Sequence, residues 1–364
     1  MEICKVNFFM KALITAGGRG TRLRPITNTM NKHLIPLAGK PMIFYAIEKV
    51  VAAGIKEIYI NTNEGDMELK RVVGDGSRFG ARITYFEQKG GPRGIADVVG
   101  QAEPLIGKSP FTLYLGDNIV LGSIKGFVDY FLKAKLNCFL ALSRAQNVTQ
   151  FGVPLIQNGK IVEVVEKPEN PLSPFAVTGI YVYDKNIFRA IKELKPSARG
   201  ELEISDAHTW LIKHGYTVGY KEITGWWKDT GRSEDLLEAN QLLLSEIKKS
   251  IHGTIEDKVV VEGTVQIGND TIVSGKSIIR GPAVIGEGCV IKDSYIGPFS
   301  SIGNKTQMYG AEVEHSIIFD EVVIHSNARI VDSLIGVNSI ITPAHASLPS
   351  GHKLIIGSNS MVEI

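Results

Sequence analysis

Residues 261–291 read VEGTVQIGNDTIVSGKSIIRGPAVIGEGCVI, and an aliphatic residue recurs at every sixth position of this stretch. Each of the first five aliphatic residues is followed, four positions later, by a side chain of small or modest size. The aliphatic positions are Val261, Ile267, Val273, Ile279, Ile285 and Ile291, and the smaller ones are Val265, Thr271, Ser277, Ala283 and Cys289. A six-residue period is typical of a parallel β-helix, in which each step forms one flat face of a triangular coil. The stretch therefore predicts a β-helix and disfavours a β-sandwich of short strands.

The repeat continues beyond Ile291 with several shorter steps. Its register slips by one residue at Ile296, and apolar residues then recur at steps of five or six up to Ile341. Three faces make one coil of about 18 residues, so the repeat predicts roughly six coils. We place this β-helix domain at residues 250–364.

The preceding part of the chain, residues 1–245, alternates short apolar runs with helical patterns. Phe111–Leu115 carries no charge, as expected of a buried parallel strand, and Pro41–Ala53 has proline in its first turn, as helices often do. Asn158-Gly159 lies between two apolar runs and predicts a hairpin, so the sheet should be mixed. Strands alternating with helices predict a doubly wound α/β sheet, and Glu234–Lys249 is expected to close this domain as an amphipathic helix.

The composition excludes several classes of protein. The chain has 364 residues, 44% of them hydrophobic, and a net charge of +2, so neither disorder nor binding to nucleic acid or an anionic membrane is expected. No apolar run reaches the about 18 residues that a spanning helix needs. Cys4, Cys138 and Cys289 lie far apart, which argues against a disulfide framework and fits a reducing cytoplasm. Residues 1–9 lack a signal-peptide pattern, and we expect no chemical role for them.

The first candidate motif is the turn AGGRGTRLRP at residues 16–25, directly after the first strand. Glycines let the backbone approach a phosphate closely, and their N–H groups can converge on an anion. Arg22 adds a guanidinium to this turn, and Lys32 follows it. The turn is neither a dinucleotide fingerprint nor a Walker loop. Alone it indicates only that phosphate binding is possible, because many turns need glycine for steric reasons.

Two aspartates form the second candidate motif. Asp117 ends the apolar stretch LYLGD at residues 113–117, at the edge of the sheet where open α/β folds bind ligands. Asp229 lies in the aromatic turn WWKDTG at residues 226–231. As a pair they could hold one Mg²⁺ ion, which takes one or two carboxylates together with phosphate oxygens and water. The alternative is that each aspartate caps a loop.

The stretch ITAGGRGTRLRPIT at residues 14–27, with Lys32, resembles the signature AGGxGTRLxPxT of sugar-1-phosphate nucleotidylyltransferases. The resemblance extends in order through residues 11–245. Further matching stretches are Gly39–Ile43, Gly74–Gly80, Glu87-Gln88, Gly94–Ala96, Gly116–Asn118, Phe151–Val153, Glu166–Pro168, Val177–Gly179, Gly200–Ile204 and Trp227–Gly231. The chain most resembles glucose-1-phosphate thymidylyltransferases of the long form, which carry a Rossmann-like domain and a C-terminal left-handed β-helix.

The resemblance implies Mg²⁺-dependent transfer of a nucleotidyl group from dTTP to glucose 1-phosphate, giving dTDP-glucose and pyrophosphate. It assigns nucleotide binding to Gly17, Gly18, Thr21, Gln88 and Gly94, and contact with the departing pyrophosphate to Arg22 and Lys32. It assigns the metal ion to Asp117 and Asp229, the sugar to Gly152, Glu166, Val177 and Trp227, and the sugar phosphate to Lys167. Arg22, Lys32, Asp117, Lys167 and Asp229 are thus the expected catalytic residues.

Two departures from the family pattern leave the substrates open. The base-reading loop QKGGPRGIADV at residues 88–98 is longer than usual and has Asp97 where glutamine or histidine is common, and Phe151 replaces a tyrosine. The first alternative is therefore a UTP-dependent or broad enzyme that makes UDP-glucose or UDP-N-acetylglucosamine.

Two further alternatives concern the whole chain. In one, the β-helix is an acetyltransferase that uses one of four histidines, His315, His325, His345 or His352. In the other, the chain is a catalytically inactive scaffold, which the retained charged residues disfavour. We expect a homo-oligomer in which the β-helix serves stability and assembly, with Leu354–Ile356 and Met361–Ile364 closing its open end or joining a neighbouring subunit.

Overall fold

The computed structural model describes residues 10–145, 147–325, 327 and 329–343. The chain forms two compact units. The first combines the residues up to Arg19 with Ile43–Asp229, and the second combines Gly20–Met42 with the described residues from Thr230 onward. The domain limits 1–245 and 250–364 stay a prediction. The expectations for residues 1–9, Cys4, His345, His352, Leu354–Ile356 and Met361–Ile364 concern positions outside the described residues.

The described strands up to residue 229 alternate with helices, as the sequence predicts. The strands are β1 (Lys11–Thr15), β2 (Pro36–Leu37), β3 (Lys40–Pro41), β4 (Glu57–Thr62), β5 (Arg82–Glu87), β6 (Phe111–Leu115), β7 (Asn118–Val120), β8 (Cys138–Arg144), β9 (Gly152–Gln157), β10 (Lys160–Glu166), β11 (Phe175–Tyr183), β12 (Val218–Glu222) and β13 (Trp227–Asp229). The helices, including one beyond residue 229, are α1 (Met42–Ala52), α2 (Met67–Val73), α3 (Ile95–Gln101), α4 (Glu103–Ile106), α5 (Lys125–Lys133), α6 (Ile187–Glu193), α7 (Ile204–Lys213) and α8 (Ser233–Ser245). Short 3₁₀ turns cover Thr21–Leu23, Ile26–Asn28, Lys32–Leu34, Ser77–Phe79 and Val148–Gln150.

The main sheet of the first unit has seven strands in the order β12-β8-β11-β6-β1-β4-β5. Strand β11 runs antiparallel to both β6 and β8, whereas β6, β1, β4 and β5 are mutually parallel. The predicted mixed, Rossmann-like α/β sheet is therefore confirmed. Because the carboxyl ends of parallel strands share one edge, the residues after β1, β4, β5 and β6 come together there. This edge carries the candidate active site.

The main sheet is held by an apolar core that packs helices onto its strands. Leu13, Leu113, Leu140 and Tyr183 from four strands are all at most 4% exposed and lie in one cluster with side chains of α3, α6 and α7. Burial of such side chains contributes roughly 1.5–3 kcal/mol each to stability. The apolar pattern over residues 95–106 predicts a single helix, and this prediction was wrong, because the stretch forms the two helices α3 and α4. Pro104 in the first turn of α4 explains the break, because proline donates no backbone hydrogen bond.

Beyond residue 245 the described chain forms three parallel sheets that stack coil upon coil. The first face contains β14 (Ser250–Ile251), β17 (Val265–Ile267), β20 (Ala283–Ile285), β23 (Ser300–Ile302), β26 (Ile317–Ile318) and β29 (Leu334–Ile335). The second contains β15 (Thr254–Ile255), β18 (Ile272–Ser274), β21 (Val290–Lys292), β24 (Gln307–Tyr309), β27 (Val323–His325) and β30 (Ile340–Ile341). The third contains β16 (Val260–Glu262), β19 (Ile278–Arg280), β22 (Tyr295–Ile296), β25 (Glu312–Glu314) and β28 (Arg329–Val331). This is the left-handed β-helix expected from the sequence.

The aliphatic residues of the repeat fill the interior of the β-helix. Ile267, Val273, Ile279, Ile285 and Ile291 are each at most 1% exposed and belong to one cluster. The five-residue step to Ile296 shortens one coil but does not interrupt the stacking of interior residues. Val261 pairs with Ile279, and Ile279 pairs with Ile296 in the next coil. Among the described residues, no helix is long and apolar enough to cross a membrane.

Candidate active site

The loop after β1 approaches its neighbours too closely for any residue larger than glycine. A Cβ atom on Gly17 would lie 2.7 Å from Nδ2 of Asn61 and 3.7 Å from Oε1 of Gln88. Asn61 is buried at the end of β4, and its Oδ1 accepts a hydrogen bond from the N–H of Ala16 at 3.0 Å. Gly17 therefore lies between the ends of β4 and β5, and Gly18 follows it on the exposed side.

Gln88 is oriented by Asp97, the residue at which the base loop departs from the family pattern. Nε2 of Gln88 donates to Oδ2 of Asp97 at 3.0 Å. Asp97 is only 7% exposed and also accepts from Arg93 at 3.0 Å and from Gln101 at 2.8 Å. Because the amide nitrogen of Gln88 faces Asp97, its carbonyl oxygen is the atom that points toward Gly17. The pair thus presents a hydrogen-bond acceptor at the edge of the sheet.

Gly94 lies in the loop at residues 88–98, directly before helix α3. Its φ of +96° is one that glycine adopts easily, and a Cβ atom there would lie 2.4 Å from the carbonyl oxygen of Leu202. The N–H of Leu202 in turn donates to the carbonyl of Arg93 at 2.8 Å. Gly94 thus lets the base loop pack against the segment that contains Leu202.

A short strand pair brings Asp117, Trp227 and Asp229 together through one asparagine. Strand β7 pairs with β13 so that Asn118 lies opposite Asp229. Oδ1 of the buried Asn118 accepts from Nε1 of Trp227 at 2.6 Å and from the N–H of Gly179 at 3.1 Å. Its Nδ2 donates to Oδ1 of Asp117 at 3.0 Å. The β7–β13 pairing therefore brings the backbones of the two predicted metal-binding aspartates together, although the residues lie more than 100 positions apart in sequence.

A second group of polar residues gathers where β9 and β10 meet α7. Gly152 pairs with Glu166, and a Cβ atom on Gly152 would lie 2.6 Å from Oγ of Ser205 and 3.3 Å from Oε2 of Glu166. Ser205 donates to Oε2 of Glu166 at 2.6 Å. Glycine is needed at position 152 because the serine and the carboxylate occupy the space of a side chain.

Two cations flank the Glu166 carboxylate. Nζ of Lys167 and Nη2 of Arg199 both lie 3.8 Å from Oε1 of Glu166. Arg199 also donates to Oε1 of Glu203 at 2.9 Å, and Glu203 accepts from Ser197 at 2.7 Å. Lys167 and Arg199 remain 46% and 40% exposed, so both can reach an anionic ligand.

Trp227 packs against a small apolar cluster and also donates its hydrogen bond to Asn118. Its ring meets that of Phe151 edge to face, with centroids 5.1 Å apart. Phe151 and Trp227 pack against Val148, Val153 and Ala176. Val177, predicted to face the sugar, is 6% exposed and belongs to the core of the main sheet.

Thr21, Arg22 and Lys32 belong to the second compact unit. Thr21 and Arg22 begin a 3₁₀ turn and are exposed, whereas Lys32 begins another and is half-buried. A Cβ atom on Gly20 would lie 2.9 Å from Cγ2 of Thr27 and 3.1 Å from Cβ of Lys32, so this glycine lets the two turns pack closely.

Residues 11–246 match the nucleotidyl transferase family.

The chain belongs to the nucleotidyl transferase family. It is 42% identical to a glucose-1-phosphate thymidylyltransferase of Streptomyces antibioticus, over 98% of this chain and 99% of the relative. It is 39% identical to the low-salt glycan biosynthesis nucleotidyltransferase Agl11 of Haloferax volcanii, over 98% of this chain and 100% of the relative. A crystal structure of a Bacillus anthracis glucose-1-phosphate thymidylyltransferase in complex with sucrose is 42% identical, with a TM-score of 0.62 over 66% of this chain and 97% of that one.

Several polar residues of this nucleotidyl transferase have contacts that the sequence did not reveal. Asn118, Arg199, Glu203 and Ser205 all lie in or beside matched motifs but received no role. The local sequence says little about their hydrogen-bond partners, because these contacts form only when distant segments pack together. Asn118 has the clearest sequence signal of the four, because it directly follows Asp117.

The donor set of this nucleotidyl transferase fits a small oxygen-preferring cation. Family members generally depend on a divalent metal ion. Among the described residues, no cluster of three or more histidine, cysteine, aspartate or glutamate side chains could hold a metal ion. The carboxylates of Asp117 and Asp229 offer oxygen ligands, which suit a hard divalent cation that completes its shell with water and phosphate oxygens.

Burial raises the pKa of Glu166, and the Ser205 hydrogen bond and the Lys167 charge only partly offset this shift. The folded state therefore holds the proton at pH values where the unfolded chain has released it. We expect the contribution of Glu166 to the free energy of unfolding to be greatest below the ordinary glutamate pKa and to be lost as the pH rises through the raised one.

Urea unfolding of the wild type and of Glu166→Gln from about pH 4 to about pH 8 measures this pH dependence. The stability of the wild type relative to Glu166→Gln should fall as the pH rises. Glu163→Gln, on the same strand and 42% exposed, is the matched control. A difference between wild type and Glu166→Gln that stays constant with pH would contradict the prediction.

Proposed function

We propose that this nucleotidyl transferase transfers a thymidylyl group from dTTP to glucose 1-phosphate, forming dTDP-glucose and releasing pyrophosphate. The observation that carries the proposal is the β7–β13 pair, which joins Asp117 to Asp229 and to Trp227 through Asn118. The similarity to thymidylyltransferases over nearly the whole chain supports the choice of substrates.

The reaction needs no strong general base. A phosphate oxygen of glucose 1-phosphate forms a bond to the α-phosphorus of dTTP, and the bond from that phosphorus to the oxygen bridging to the β-phosphorus breaks. The attacking oxygen is already anionic, so catalysis rests on positioning and on neutralising charge. We assign Arg22 and Lys32 to the departing pyrophosphate and Lys167 to the sugar phosphate. An oriented charged donor of this kind contributes about 3–4 kcal/mol to lowering the barrier.

Asp117 and Asp229 would hold the Mg²⁺ ion in this proposal. When bound, Mg²⁺ supplies positive charge that neutralises the phosphate oxygens. Asn118 restrains Asp117 through its 3.0 Å hydrogen bond and accepts from Trp227, so it would couple the metal carboxylate to the wall of the sugar pocket. Gly152, Glu166 and Val177 would face the sugar hydroxyls beside Lys167.

Gln88 would read the base through its carbonyl oxygen, and we also assign nucleotide binding to Gly17, Gly18, Thr21 and Gly94. Thymine and uracil carry a donor at N3, whereas cytosine has an acceptor there. Asp97 holds the amide nitrogen of Gln88 away from this position, so the pocket would accept thymine or uracil and reject cytosine. An unsatisfied acceptor in a closed site is costly, which makes this a strong filter.

Replacement of Asp97 by asparagine should weaken discrimination against CTP. The new amide can donate as well as accept, so the Gln88 amide is free to turn and offer a donor to N3 of cytosine. We expect the ratio of kcat/KM for dTTP to that for CTP to fall by about tenfold or more. Glu103→Gln, on the neighbouring helix α4, is the control. An unchanged ratio in Asp97→Asn would mean that Asp97 does not set the orientation of Gln88.

A substrate matrix tests the proposed function. dTTP, UTP and CTP are each combined with glucose 1-phosphate and glucosamine 1-phosphate, and pyrophosphate release is measured with Mg²⁺ and with excess EDTA. We expect the highest kcat/KM for dTTP with glucose 1-phosphate and no release in EDTA. Preference for UTP would favour the alternative substrate, and full activity in EDTA would remove the metal assignment. Acetyl transfer from acetyl-CoA to glucosamine 1-phosphate, measured in parallel, tests the acetyltransferase alternative.

The remaining proposals concern the cellular location and the oligomeric state of the protein. We propose a cytoplasmic homo-oligomer, because the two described cysteines, Cys138 and Cys289, are buried free thiols and because unpaired strand edges favour association. Light scattering of the full chain in solution measures the subunit count.

A further inference from the structure

Asn240 is a fully buried side chain of helix α8 that joins two other parts of the second unit. Its Oδ1 accepts from the N–H of Ala38 at 2.8 Å and from the hydroxyl of Ser301 at 2.7 Å. Its Nδ2 donates to the carbonyl oxygen of Phe299 at 3.1 Å. Ala38 belongs to the segment Gly20–Met42, and the other two partners belong to the β-helix. One amide therefore connects that segment to the β-helix.

The two backbone partners determine which way this amide points. The N–H of Ala38 can only donate and the carbonyl of Phe299 can only accept, so only one orientation of the amide satisfies both. Aspartate at this position would lack the donor, and leucine would lack both groups. The Asn240 side chain is fully buried, and its loss would leave the Ala38 N–H and the Phe299 carbonyl without this partner.

Ala38 lies in a tight hairpin that packs against the β-helix. Strands β2 and β3 pair through Leu37 and Lys40, which leaves Ala38 and Gly39 as a two-residue turn. Both turn residues have positive φ values, +45° and +81°, as a type I′ turn requires. Alanine rarely adopts this conformation, which costs roughly 1–2 kcal/mol. A Cβ atom on Gly39 would lie 2.8 Å from Cγ1 of Val284 in the β-helix.

The same hairpin is continuous with the turn that begins at Lys32. The N–H of Ile35 donates to the carbonyl of Lys32 at 3.2 Å, and Ile35 and Leu37 are fully buried. The backbone of Lys32 is thus only a few residues from the hairpin that Asn240 holds. Gly20, two residues before Arg22, packs against Thr27 and Lys32. A displacement of the hairpin would therefore be transmitted to the segment that carries Arg22 and Lys32.

We propose that Asn240 is a positioning residue for nucleotidyl transfer: it docks the Pro36–Pro41 hairpin on the β-helix and thereby holds the segment bearing Arg22 and Lys32 in place. The inference rests on the proposed roles of those two cations. It gives the β-helix a part in the reaction beyond the stability and assembly expected from the sequence. The sugar-phosphate residues Glu166 and Lys167 belong to the other unit, so their binding should not depend on Asn240.

The test compares Asn240→Ala and Ser301→Ala with the wild-type full chain. Ser301→Ala removes one of the hydrogen bonds from the β-helix side and leaves the hairpin sequence unchanged. Asn269→Ala, at an exposed asparagine of the β-helix that bonds Glu287, is the matched control. We expect Asn240→Ala to lower kcat by about tenfold or more, and Ser301→Ala to lower it less, with the KM for glucose 1-phosphate unchanged in both.

Hydrogen–deuterium exchange supplies a readout independent of activity. Amides of residues 31–42 should exchange about tenfold faster in Asn240→Ala than in wild type, while those of β1 and β4 should keep their rates. If the wild type transfers no nucleotide, the proposed function fails, yet the exchange data still decide whether Asn240 docks the hairpin. Unchanged exchange, or faster exchange with wild-type kcat, would overturn the inference. If Asn240→Ala does not fold, the same two measurements on Ser301→Ala decide it.

Discussion

Replacement of Asp117 by asparagine is expected to lower kcat by about 10³-fold or more while the fold persists. The substitution keeps the shape of the side chain and its acceptor oxygen, so the hydrogen bond from Nδ2 of Asn118 can survive. It removes the negative charge that a metal ion requires. Because Asn118 also contacts Trp227 and Gly179, this conservative change is preferable to alanine, which would disturb those contacts.

Three measurements separate loss of metal binding from damage to the fold. Pyrophosphate release gives kcat, thermal unfolding reports stability, and Mn²⁺ titration followed by electron paramagnetic resonance reports metal binding. Asp129→Asn, at an exposed aspartate of helix α5 that pairs with Lys125, is the control and should match wild type in all three. Wild-type turnover in Asp117→Asn would contradict the assignment of Asp117. Lost turnover with undiminished Mn²⁺ binding would assign it a role other than metal ligation.

Truncation of Ile291 to alanine is expected to destabilise the protein by about 2–5 kcal/mol. Ile291 is fully buried in the middle of the β-helix, between Val273 and Met308 of the adjacent coils. Removing its outer carbons leaves a cavity that the stacked coils cannot close, because each coil is held by hydrogen bonds to both neighbours.

Ile272→Ala provides a matched control on the same face of the β-helix. Ile272 is 45% exposed, so the identical substitution should cost less than about 1 kcal/mol. Urea unfolding of both variants, followed by circular dichroism, measures the difference. Equal losses of stability in the two variants would contradict the assignment of Ile291 to the interior of the β-helix and of Ile272 to its surface.

Much of the fold is predictable because it depends on local patterns. The six-residue period predicts the β-helix interior, since every aliphatic residue of a column meets an equivalent residue one coil away. Phe111–Leu115 is predicted to the residue because a short, uncharged and mostly apolar run is typical of a strand buried on both faces. The break between α3 and α4 was missed although Pro104 signals it, because the apolar pattern continues across the proline.

The candidate site is less predictable, because its contacts join segments far apart in the chain. The glycine-rich turn and the two aspartates carry recognisable motifs, so the sequence alone identifies Asp117 and Asp229 as candidates. The sequence around these residues does not indicate that Asn118 accepts a hydrogen bond from Trp227, or that Ser205 donates one to Glu166. Such pairs are created when strands and helices pack, and a short polar side chain carries no periodic signal of its partner.

Periodicity, turn chemistry and charge are enough to predict the two architectures, the interior residues of the β-helix and the residue types of the site. Which residues contact one another depends on the tertiary structure. It joined Asn118 to Asp117, Gln88 to Asp97, and Asn240 to both Ala38 and the β-helix. It also grouped Gly20–Met42 with the β-helix rather than with the sheet that flanks this segment in sequence. Local patterns cannot predict these contacts, because a buried amide or carboxylate must find a hydrogen-bond partner and packing in three dimensions selects that partner.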